Sequence, residues 1–145
     1  MKKLIFFIAV AGVLTYGYVR EHDIHAAGLA PSPAAADSAL QNAYNNRQSN
    51  LQVAGKGTVI KVLADDLQGS RHQRFIVSLD SGQTLLIAHN IDLAPRVSGL
   101  RPGDSVEFYG EYEWNSKGGV IHWTHHDPDG GHPAGWLKHN GKTYQ

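Results

Sequence analysis

The chain contains no cysteine, and that absence removes disulfides, thiolate catalysis and cysteine-ligated zinc together. It leaves the redox compartment open. Surplus charge of either sign is missing as well: 13 lysines and arginines face 13 aspartates and glutamates, and from Leu51 onward nine basic residues meet ten acidic ones. No field of the whole molecule steers it to a polyanion, so any nucleic-acid contact has to come from a local patch. The glycines form neither a phosphate loop nor a dinucleotide fingerprint, and neither HExxH nor a closed zinc spacing occurs. Long apolar runs are absent except at the start.

That exception is residues 4–19, uncharged throughout and bracketed by Lys2, Lys3 and Arg20. A basic start followed by an apolar stretch reads as an export signal or a membrane anchor, with residues 1–20 as the targeting helix. Either reading makes the remainder periplasmic or periplasm-facing, anchored in the inner membrane if the segment is retained. Residues 21–50 then read as a linker, rich in alanine, proline and serine, with a short helix capped by Asp37 or Ser38 and carrying Leu40 and Tyr44 on one face.

From Leu51 the period changes from helical to alternating. Residues 53–63 form the first expected strand, where Gly55 and Gly57 mark a bend or bulge. Phe75, Val77 and Leu79 alternate in the second, and residues 83–90 return as the third after a tight Asp80-Ser81-Gly82 turn. Residues 91–100 break the pattern at Pro95 and predict a helical turn or short helix. On the fourth strand Val106, Phe108, Tyr112 and Trp114 share one face, and Glu107, Tyr109, Glu111 and Glu113 share the other. Residues 120–126 supply the fifth. The sum is a mainly β fold, a small five-stranded barrel of the oligonucleotide/oligosaccharide-binding (OB) kind over residues 51–145, with a C-terminal extension folding back on it and the apolar helix and linker in front. A generic β sandwich is the alternative.

The segments HQRFIVSLDSGQTLLIAHNIDLAPRV and GDSVEFYGEYEWNSKGGVIHWTHHDPDGGHPAGWLKHNGKTY resemble a family of small bacterial proteins catalogued as domain of unknown function 3465. The resemblance runs from His72 to Tyr144. It implies a compact domain with β character behind an export or anchor segment, and it transfers no catalytic residue.

Nine histidines are the compositional oddity, and four of them (His122, His125, His126, His132) crowd between Lys117 and Trp136. The first functional reading is a non-catalytic binding module for a protein, peptide or glycan, in which Tyr109, Trp123 and Trp136 stack on the ligand while Arg71, His72 and Arg74 frame it. The second is a metal site of His125, His126, Asp127 and His132, with His72 or His89 arriving from neighbouring strands. Nitrogen and oxygen ligands of this sort suit zinc or another divalent transition metal and can support hydrolysis. Period two divides His122 and His126 from His125, so such a site requires the glycine-rich hook 125–132 to turn back. A third reading, single-stranded nucleic-acid binding or a nuclease with Asp65, Asp66, Arg71, Arg74 and Glu113, is opposed by Glu107, Glu111 and Glu113 on one strand face. His89 and Asn90 serve a strand end or a site, and His139 reads as an exposed turn residue.

Overall fold

Alternating burial organises the chain, which the computed structural model describes over residues 31–145. Five strands follow one another: β1 (Leu51–Val62), β2 (His72–Ser78), β3 (Thr84–Asn90), β4 (Ser105–Glu113) and β5 (Val120–His122). They pair in the order β1-β2-β3-β5-β4, and β4 returns to β1, so the sheet closes on itself. All these pairings are antiparallel except β3 with β5, which is parallel over Leu86–Val120 and Ile87–Ile121. This is the OB-like barrel that the strand plan predicts. Closure leaves no barrel edge unpaired.

Two further strands, β6 (Trp136–His139) and β7 (Lys142–Tyr144), form a hairpin from the C-terminal extension. β6 pairs with the first half of β4, and β5 pairs with its last residues, so one side of β4 is handed from one partner to the other. The turn between β6 and β7 falls at Asn140-Gly141, but His139 is corrected from an exposed residue to a buried one whose Nε2 meets Asp104 at 2.8 Å.

The core follows the expected faces: Phe75, Val77, Leu85, Ile87, Val106, Phe108, Tyr112 and Ile121 are fully buried inside the barrel. Gly55 and Gly57 do a different job from the one expected. The register shift in β1 lies between Val59 and Lys61, whereas a Cβ at Gly55 would run into the Phe108 ring and one at Gly57 would press on Val77. The two glycines make room for the core rather than bend the strand.

Among the described residues one helix, α1 (Pro33–Asn45), packs on the barrel core and closes one end of it. It starts earlier than the sequence suggested because Ser32, not Asp37 or Ser38, accepts from the Ala35 N–H, and Pro33 occupies the first turn where no N–H is required. Leu40 and Ala43 are its buried contacts with the core. Asp37 accepts from Ser81 N, and Tyr44 donates to Ser116 O, so the helix is tied to the β2–β3 and β4–β5 turns. Residues 91–100 carry the single helical turn expected, Ala94 N–H donating to Asn90 O at 3.1 Å, and it does not extend into a helix. Gln73 takes both backbone groups of Val97 with its amide, at 2.8 and 3.0 Å, and Pro95 has no N–H to give a helix.

The inner-membrane-anchored, periplasm-facing placement is corrected. Among the described residues no helix is long and apolar enough to cross a membrane. α1 has 13 residues, or about 20 Å at 1.5 Å per residue, against a hydrocarbon core of about 30 Å. The targeting segment 1–20, on which that expectation rested, lies outside the described residues.

Candidate functional site

The outward face of β4 carries Glu107, Tyr109, Glu111 and Glu113, and pairing fixes their neighbours. Gln52 of β1 and His122 of β5 flank Glu111 on its two sides, and Val120 stands opposite Glu113. His122 is therefore the imidazole that the sheet delivers to two carboxylates. Its Nε2 is 3.4 Å from Glu111 Oε1 and 3.8 Å from Glu113 Oε2. It is shielded from solvent and has no hydrogen-bond partner. One ligand atom from each of Glu111, Glu113 and His122 falls within 4.8 Å of the other two. A Glu/Glu/His cluster able to hold a metal ion is thus present, with Glu111 largely buried and Glu113 half exposed.

After His122 the strand stops. Trp123 has a φ of 56°, a left-handed backbone that costs a bulky residue about 1–3 kcal/mol and persists only where the surroundings impose it. Gly135 is the imposing neighbour: a Cβ on it would strike the carbonyls of Trp123 and Tyr109, and its N–H donates to His125 O at 2.9 Å. The regular alternation expected through His126 therefore ends four residues early.

The hook that follows is built by Asp127. Its carboxylate accepts from the backbone N–H of Asp129, Gly131 and His132 at 3.1, 2.7 and 2.9 Å. These donors, that of Asp129 foremost, hold its pKa below the usual carboxylate range. The hook turns His132 back to the barrel, where its Nε2 donates to Glu111 Oε2 at 2.6 Å and its Nδ1 donates to Pro133 O at 2.9 Å. Burial opposes charge on this ring, but Glu111, the Pro133 carbonyl and Asp127 outweigh it and raise its pKa. Trp123 lies flat against the same ring, 4.1 Å between centroids and 9° between planes. Glu111 is thereby gripped on one oxygen and left open toward His122 on the other.

The expected metal set does not converge. Asp127 builds the turn, His126 is exposed, and His125 is buried with Nδ1 donating to His126 O at 2.7 Å. Of that set only His132 reaches the cluster, as a support to Glu111. Among the described residues the ligand atoms that do converge are those of Glu111, Glu113 and His122.

The expected ligand-binding residues divide into separate places. Tyr109 and Trp136 lie side by side on β4 and β6, 6.2 Å apart at 33°. Arg71 is tied to Asp92 through Nε and its backbone N–H, both at 2.7 Å, and Arg74 donates to Ala64 O from two nitrogens. Of the acids in the nuclease reading, Asp65 is paired with Arg96. His72 and Trp123 meet at one pocket. His89 is structural: fully buried, it donates from Nε2 to Pro95 O and receives the Thr124 hydroxyl on Nδ1 at 2.8 Å, and burial lowers its pKa from 6.5 to about 4.

The chain matches the family described as Protein of unknown function (DUF3465) over residues 24–145. It belongs to that family. No curated protein and no solved structure matches it. The family description assigns no activity, so membership adds a relationship to the geometry and no chemistry.

Proposed function

We propose that this DUF3465 barrel is a non-catalytic binding module for a divalent transition metal, held by Glu111, Glu113 and His122. The observation that carries the reading is the shielded, unpartnered Nε2 of His122 facing two carboxylates. A desolvated nitrogen without a partner is costly, and two anions side by side repel; a cation between them relieves both. The mixed nitrogen and oxygen set suits zinc and its neighbours better than calcium, which takes oxygen alone. His132 holds Oε2 of Glu111, the oxygen turned away from His122, and fixes the carboxylate plane, as outer groups do at protein metal sites.

Nucleic-acid binding is a weaker reading, because the same carboxylates present negative charge on this face. Calorimetric titration of untagged, metal-stripped protein with zinc tests the proposal. One equivalent is expected to bind, with Glu111→Gln and His122→Ala each abolishing it and His126→Ala leaving it intact. Binding that survives both of the first substitutions would overturn the assignment.

A further inference from the structure

Beside the carboxylate cluster, and separated from it by His122, lies a pocket of about 360 Å³. Its walls include His72, Asn90, Leu93, His122, Trp123 and His125. Hydrogen bonds to backbone decide which atoms the walls can offer. His72 Nδ1 is 2.8 Å from Ser70 O and His125 Nδ1 is 2.7 Å from His126 O. Carbonyls only accept, so each Nδ1 carries a proton, and in the neutral ring each Nε2 keeps a lone pair. Among the described residues neither Nε2 has a hydrogen-bond partner. Asn90 uses its side-chain oxygen on the Asp92 N–H, 2.9 Å, which leaves its amide NH2 to donate. Leu93, 45% exposed, and the Trp123 indole supply apolar surface.

The pocket is also set rigidly. Thr124 ties the chain between Trp123 and His125 to His89 of β3, and the indole of Trp123 lies against the His132 and His125 rings, 4.1 and 5.4 Å between centroids. Strain kept at a bulky residue beside a pocket is the pattern of a functional position. Among the described residues no lysine or arginine lines the walls; Arg71, which adjoins His72, is engaged by Asp92.

We infer that this pocket binds a neutral, hydroxyl-bearing ring, that is, one unit of a saccharide. Sugar hydroxyls donate to the two imidazole lone pairs and accept from the Asn90 amide. The C–H face of the ring covers Leu93 and the part of the indole that His132 and His125 leave uncovered. A phosphate or carboxylate finds no lysine or arginine here, and a nucleobase brings few hydroxyl donors together with a phosphate chain that Glu111 and Glu113 oppose. The pocket needs no metal, so it stands or falls apart from the metal proposal.

The test is a titration of the full chain in EDTA, with ¹⁵N-labelled histidine rings followed by NMR. The probes are maltotriose, cellotriose and tri-N-acetylchitotriose, with an octathymidylate and an alanine-rich peptide as competitors. Saturable shifts of the His72 and His125 ring signals with at least one saccharide are expected. His72→Phe removes one hydrogen bond and is expected to weaken binding about tenfold. Trp123→Ala should weaken it as much, and if that variant does not fold, His72→Phe carries the comparison. No saturable shift with any of the three saccharides, unchanged affinity in His72→Phe, or shifts produced only by the oligonucleotide or the peptide would each overturn the inference.

Discussion

His89 shows how a single buried side chain sets the response of the fold to acid. Its folded pKa is near 4, below the 6.5 of an exposed ring, so the folded state favours the neutral form. The stabilisation is complete above pH 6.5 and is lost as pH falls toward 4, because the unfolded chain takes up the proton first. The shift corresponds to about 3 kcal/mol at most. Urea midpoints are expected to fall steeply between pH 6.5 and 4, and His89→Gln should flatten that slope even if it lowers stability at neutral pH. A slope identical in the variant would assign the acid response to other groups. Asp104 and Asp127 act in the same direction at lower pH, since backbone N–H donors, from Arg101 and Asp129 first, depress both carboxyls.

At the scale of an element, the hook 125–132 supports the site without belonging to it. Asp127→Ala removes the acceptor for three backbone donors and frees His132 from its seat on Glu111. Zinc affinity is expected to drop about 10–100-fold, the usual effect of losing an outer support, while one equivalent still binds. Isothermal titration separates this from loss of a ligand, where the stoichiometry itself disappears. Gly135→Ala should be more damaging, because no side chain fits beneath the carbonyls of Trp123 and Tyr109. Its thermal midpoint should fall below that of the parent by several degrees.

These elements also mark what the sequence could disclose. Period two put Glu111 and Glu113 on one face of β4 and Phe108 and Tyr112 on the other, and the structure agrees. The register of the β4–β5 hairpin was within reach too: closing it through Asn115 to Gly119 sets His122 opposite Glu111. What hid the site was Trp123. Nothing in the run VIHWTHH announces a left-handed residue, because the cause is Gly135, twelve positions away, crossing against it. Density of histidine therefore pointed to the hook, whereas the convergence came from two glutamates already visible as a repulsive face. Ser32 was likewise legible as a cap, since it precedes a proline, but the alanines after it resembled a spacer.

For the molecule as a whole, α1 completes the core by stopping one end of the barrel. Leu40 is fully buried there among residues of the sheet. Leu40→Ala is expected to cost about 2–5 kcal/mol in chemical denaturation, the range for a large apolar side chain removed from a packed interior. A cost below 1 kcal/mol would mean that the helix only rests on the barrel. Tyr44 and Trp114, stacked with centroids 6.4 Å apart, and Trp114 Nε1 donating to Tyr44 O fix the outgoing end of the same helix.

The parallel join between β3 and β5 spans two residue pairs, against seven between β2 and β3 and eight between β1 and β4. A cylinder under load parts along its shortest weld, and here the weld runs through Val120 and Ile121, immediately before His122. The backbone amide of Leu86, bonded to Gly119 O, should consequently exchange with deuterium sooner than those at the centre of β2. Zinc at the neighbouring carboxylates should slow it. The metal would then work as a rivet beside the weld, and the mechanical strength of the barrel would report whether the rivet is in place.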